Sequence, residues 1–134
     1  MRIMCDTNVL ISGILFPNSV PGRVLRYVAE QERFVLATYV IEELRRVFQK
    51  KFSDKTESLE HYLERQEFEL FVTPHEWHVV VPSIRDVKDK PVLASAILAN
   101  VDILITGDKD FAGTEINRPL ILRPATFLEL FKQK

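Results

Sequence analysis

The sequence predicts an α/β fold: a three-layer α/β/α sandwich around a central parallel sheet of about five strands. Short β-branched and apolar runs alternate with longer stretches of helical spacing, the pattern of parallel strands joined by helices. About five such runs can be counted. The length, 134 residues, suits a single domain with one core, so residues 1–134 are taken as one unit.

Residues 2–5 form the first expected strand. A helical stretch follows, breaks near Phe16-Pro17-Asn18-Ser19, and resumes over about 22–30. Residues 34–37 read as the second strand, after which Thr38 has the place of an N-cap opening a helix through Lys50. Asp54-Lys55-Thr56-Glu57 resembles a capping box with aspartate in the capping role. Leu59, Tyr62, Leu63, Gln66 and Leu70 then keep helical spacing until Pro74. A third strand is expected at 77–81, ended by Pro82. Pro91 suits the first turn of a helix running to Asn100. Residues 101–105 and, more weakly, 120–122 complete the strands, and 125–131 form a terminal helix.

Eighteen basic against nineteen acidic side chains leave a net charge of −1. That balance excludes a simple basic coat protein for nucleic acid, which would carry a marked positive excess. It does not exclude an enzyme that meets nucleic acid through metal ions and a local basic patch. The single cysteine, Cys5, lies in an apolar run and reads as a buried reduced thiol. The opening Met1-Arg2-Ile3-Met4-Cys5-Asp6 has no signal-peptide pattern. No apolar segment approaches the ~20 residues of a membrane span. A soluble, cytoplasmic protein is expected.

Ligands of open parallel sheets bind beyond the carboxyl ends of the strands. Asp6 directly follows the first strand, and Asp108 follows the strand ending at Ile105 across Thr106-Gly107. Parallel strands put both acids at one edge. Asp89 precedes the helix that starts near Pro91, at the same edge. Of Glu42 and Glu43, helical phase selects the second. Val40, Ile41, Leu44, Val47 and Phe48 mark the apolar face, Glu42 points almost opposite it, and Glu43 sits at its border.

Singly, each acid has a structural explanation. Asp6 and Asp89 suit helix caps, Glu43 a solvated helix position, and Asp108 or Asp110 a tight turn. Together they would repel one another strongly, an arrangement that a bound divalent cation requires and few structural roles do. Oxygen ligands select Mg²⁺ or Mn²⁺ over zinc, one or two ions in number. His61, His75 and His78 show no paired ligand spacing. A metal on such a site lowers the pKa of water and neutralises charge on a scissile phosphate. The chemistry implied is metal-dependent hydrolysis of phosphodiester bonds.

Asn8 and Thr106 are candidates to orient a carboxylate or a water. Asp110 either binds metal through water or caps the turn into Phe111. Ser12 is better explained as an ordinary helix residue. Lys109, Arg45 and Arg46, with Lys50 and Lys51, are candidate contacts to the phosphates of a substrate, Lys109 the best placed.

Asp6-Thr7-Asn8-Val9-Leu10, Glu42-Glu43-Leu44, the 89–96 stretch from Asp89-Lys90-Pro91 to Ala96, and Thr106-Gly107-Asp108-Lys109-Asp110-Phe111 span nearly the whole chain. In this order they resemble the PIN-domain nucleases, most closely small prokaryotic members identified as toxins of type II toxin–antitoxin systems. The resemblance implies a sandwich around a parallel sheet and Mg²⁺- or Mn²⁺-dependent endoribonuclease activity. It puts the acidic quartet on Asp6, Glu43, Asp89 and Asp108, with Asp110 a frequent fifth acid and Asn8 and Thr106 at supporting polar positions. It also implies a homodimer and a small antitoxin partner. One departure is Val87, where relatives often have proline; the spacing to Val92, Ala94 and Ala96 favours Asp89 over Asp86 as the ligand.

Two other functions compete. A non-catalytic RNA- or protein-binding module on the same fold usually lacks one or more of the acids, and this chain keeps all four. A phosphotransfer domain would need an Asp-x-Asp motif after the first strand, where Asp6-Thr7-Asn8 ends in an amide, or an aspartate after the third, where the chain reads Val81-Pro82-Ser83.

Overall fold

Strands that are apolar along their whole length need cover on both faces, and that requirement shapes this molecule. The computed structural model describes residues 1–74, 90–108 and 118–131. The described elements are β1 (Arg2–Cys5), α1 (Thr7–Leu15), α2 (Val20–Gln31), β2 (Arg33–Ala37), α3 (Thr38–Lys51), a short 3₁₀ turn (Ser53–Lys55), α4 (Thr56–Arg65), β3 (Glu69–Phe71), α5 (Lys90–Leu98), β4 (Ile103–Ile105), β5 (Leu120–Leu122) and α6 (Pro124–Phe131). The strands form one sheet in the order β3-β2-β1-β4-β5, with every neighbouring pair parallel. Successive side chains of a strand point to opposite faces. Ile3, Met4 and Cys5, Phe34 to Ala37, and Ile103 to Ile105 are nonetheless all buried. Helices therefore cover both faces of the three central strands, giving the expected α/β/α sandwich.

The order of strands fixes where the chain reverses direction. From β1 it builds outward through β2 to β3, then crosses to β4 on the other side of β1. The crevice beyond the carboxyl ends of β1 and β4 is the topological switch point, the favoured ligand position of such sheets. Register puts Cys5 beside Ile105. The ladder continues one step further, with the Asp6 N–H donating to the Ile105 carbonyl at 3.0 Å.

Local signals explain most boundaries. The Asp6 carboxylate caps α1 by accepting from the Val9 N–H at 2.9 Å. Ser19 caps α2 by accepting from the Gly22 N–H at 3.1 Å, with proline in the first turn. Gly22 lies so close to the preceding turn that a Cβ there would meet the Pro17 carbonyl oxygen at 2.3 Å and that of Phe16 at 2.6 Å. Both are backbone atoms and cannot swing aside. Gly22→Ala is expected to destabilise the fold by about 1–3 kcal/mol, measured as a lowered urea midpoint. Asn100 adopts φ 56°, a left-handed conformation that asparagine tolerates and that stops α5.

Four expectations are corrected. Thr38 is the first residue of α3 rather than its cap; its hydroxyl accepts from the Thr73 N–H at 2.9 Å, and the cap position, Ala37, has no side-chain bond. Asp54 lies in the 3₁₀ turn, and α4 begins without a side-chain cap. The helical spacing traced to Leu70 ends at Arg65; Leu70 belongs to β3 and is 53% exposed. Glu69–Phe71 is too short to establish a period of two, and Leu70 continues the spacing of the helix before it, so this strand reads as part of that helix. The helix expected to reach Asn100 ends at Leu98. The strand expected at 77–81 lies outside the described residues. Among the described residues, no helix is long and apolar enough to cross a membrane.

Candidate active site at the carboxyl edge of the sheet

Asp6 is the centre of the arrangement. It is 5% exposed, although carboxylates are seldom buried without a partner. One oxygen accepts from the Val9 N–H at the start of α1, and the other accepts from the Thr106 hydroxyl just beyond β4. Thr106 is itself buried, and its hydroxyl also accepts from the Asp108 N–H at 3.0 Å. A single threonine thus links the acid after β1 to the backbone of the acid after β4.

Glu43 arrives from α3. Phase along that helix separates the two adjacent glutamates: Glu42 is exposed, whereas Glu43 is half-buried. The Glu43 carboxylate accepts a hydrogen bond from the Thr7 hydroxyl, and Thr7 is the residue after Asp6. Thr7 is buried as well. Nothing in the local sequence had singled it out; its only signal was adjacency to Asp6.

The electrostatics are those of a crowded acidic site. Burial pushes the Asp6 carboxyl above its usual range, the bonds from Thr106 and Val9 lower it, and the nearby charges of Asp108 and Glu43 raise it again. Cys5, fully buried in β1, is also pushed upward by burial and then by Asp6, which leaves it an inert thiol.

The opposite edge of the sheet supplies a contrast. There Asp102 pairs with Arg118 at 2.6 Å, and Glu69 pairs with Arg2. At the carboxyl edge, neither Asp6 nor Glu43 has a cationic partner among the described residues. Among the described residues, the ion pairs of the sheet lie at the amino end of its strands, while Asp6 and Glu43 lie at the carboxyl end.

A divalent cation suits this donor set. All of its side-chain groups are oxygen donors, which hard cations prefer. Among the described residues, no three acids close into a finished cage. Mg²⁺ does not need one, since it usually binds through one or two carboxylates and keeps several waters.

The remaining candidates fall in different places. Asp89, Lys109 and Asp110 lie outside the described residues. Asn8 is exposed on α1 and makes no side-chain hydrogen bond to the acids among the described residues. Arg45 is engaged by Glu60, with both contacts at 3.0 Å, while Arg46 is exposed on the same helix.

A family profile described as "PIN domain" matches residues 2–110. No curated protein matches the chain. Among solved structures, one chain of VapBC2 from Rickettsia felis, crystallised bound to a DNA fragment from their promoter, superposes with a TM-score of 0.67. The two share 19% identity over 91% of this chain and 97% of that one, a likeness of fold.

Proposed function

The chain belongs to the PIN-domain family, and on that premise we propose that it is a divalent-metal-dependent endoribonuclease, the toxin of a type II toxin–antitoxin pair. The observation that carries the reading is Asp6: a buried carboxylate at the switch point, with no cationic partner among the described residues, sharing its surroundings with Glu43 and Asp108. Asp6, Glu43 and Asp108 would hold Mg²⁺ or Mn²⁺, with Asp89 and Asp110 as further acids supplied by residues outside those described. Bound there, the ion would supply charge neutralisation at the scissile phosphate and activation of a water. The chain's own contribution is to hold the acids together and aim them. Thr106 and the Val9 N–H each hold one oxygen of the Asp6 carboxylate, and each oxygen keeps acceptor capacity for a cation.

The experiment is incubation of the purified protein with structured and unstructured RNA, with Mn²⁺ or Mg²⁺ and with EDTA. Cleavage is expected only with metal, and restoring Mn²⁺ after chelation should return it. Stoichiometric Mn²⁺ binding with no cleavage of any RNA would mark the chain as a binding module instead. The VapBC2 neighbour was solved as a complex, which supports a small antitoxin as partner. Co-expression with the product of an adjoining short reading frame should yield a stable complex that no longer cuts RNA. The same reading expects a homodimer, visible by sedimentation, working in the cytoplasm, where the unpaired Cys5 stays reduced.

A further inference from the structure

A buried hydroxyl needs a partner, and its choice of partner is informative. Thr7 stands in the first turn of α1, and its side chain turns away from its own helix to donate to Glu43, 36 residues on in α3. Two chain segments that separately carry an acid of the site, Asp6 on one and Glu43 on the other, are joined by this one bond. A glutamate that is half-buried on a helix border otherwise keeps several rotamers, and most would turn its carboxylate to solvent.

We infer that Thr7 is a positioning residue that fixes the Glu43 carboxylate toward the cation held by Asp6. The inference rests on the metal-dependent reading above and adds a residue to it. Thr7 Oγ1 carries a single proton and gives it to one Glu43 oxygen, so the second oxygen remains the one to face the ion. Thr106 plays the matching part for Asp6 from the other side. Each acid is then oriented by a threonine hydroxyl buried at the foot of the site, in the way outer-shell partners orient metal ligands generally.

The test is the affinity for Mn²⁺, read by the electron paramagnetic resonance of the free ion, with no RNA present. Thr7→Val keeps the shape and removes the donor; Thr7→Ser restores it. Thr7→Val is expected to bind Mn²⁺ about tenfold or more weakly, and Thr7→Ser within about threefold of wild type. In a Glu43→Ala background, Thr7→Val should have no further effect, because the group it orients is gone. If Thr7→Val does not fold, Thr7→Ala serves under the same criteria. Unchanged affinity in the folded donor-less variant overturns the inference while leaving the nuclease reading intact. So does a loss of the same size in the Glu43→Ala background, which would show a general structural role. Failure of the wild type itself to bind Mn²⁺ overturns both.

Discussion

Replacing Asp6 with asparagine is expected to abolish metal-dependent RNA cleavage while leaving the metal-free fold as stable as before or more so. The loss should exceed the roughly 10–100-fold that follows removal of an outer-shell partner of a metal ligand, because here the ligand's charge itself is removed. The stability half of the expectation follows from proton linkage. Burial, and then the charges of Asp108 and Glu43, hold the Asp6 carboxyl above its ordinary range despite the bonds from Thr106 and Val9. Between the ordinary value and the raised one, the native protein therefore keeps a proton that the unfolded chain has released. Stability falls as pH rises through that window, and above it the buried Asp6 charge works against the metal-free fold. Asparagine removes the charge and still accepts from the Val9 N–H, while its amide can donate to the Thr106 hydroxyl. The melting temperature of metal-free Asp6→Asn should equal or exceed that of wild type at neutral pH, with the difference shrinking as the solution is acidified. Metal reverses the order. A cation at about a hundred times its dissociation constant adds about 2.7 kcal/mol to a protein that binds it only when folded, and Asp6→Asn should gain far less. Equal cleavage by the two proteins, or equal stabilisation by Mn²⁺, would remove Asp6 from the site.

Asp6 and Asp108 were readable in the chain alone because each ends an apolar run, and parallel strands carry such residues to one edge; β1 and β4 do so as direct neighbours, Cys5 beside Ile105. Helical phase distinguishes Glu42 from Glu43 because a 100° step turns one to solvent when the next meets the core border. What escaped depends on contacts distant in sequence. Thr38 has the composition of a cap, but the Thr73 N–H, brought in by β3, takes its hydroxyl. The partner of Thr7 lies on α3, which packs alongside α1, so nothing near it in the chain reveals the bond to Glu43. Leu70 kept the spacing of the helix before it, and only pairing with Leu36 reveals a strand. Periodicity cannot separate a three-residue strand from a helix whose spacing it continues, and it is silent on bonds that form between elements.

Truncating Phe48 should produce the largest loss of stability considered for this protein. The ring is fully buried on α3, the helix that carries Glu43, and lies 5.7 Å from the ring of Phe52 at a tilt of 59°. Val40, Ile41 and Leu44 share its buried face, so a cavity there opens at the seat of the whole helix. Phe48→Ala is expected to cost about 3–5 kcal/mol, from lost transfer of the ring and from a cavity that rigid neighbours cannot fill. Against a total of about 5–15 kcal/mol for a domain, that leaves the variant near its unfolding threshold. Leu70→Ala provides the comparison, since it removes a side chain of similar chemistry that is 53% exposed on an edge strand; it should change stability by no more than about 0.5 kcal/mol. Urea denaturation reads both. Phe48→Ala should lower the midpoint sharply at an unchanged slope, because the same surface is exposed on unfolding. A small shift for Phe48 with a large one for Leu70 would mean that the chain packs its core on the other side of β3, and with it would go the placement of Glu43 at the carboxyl edge.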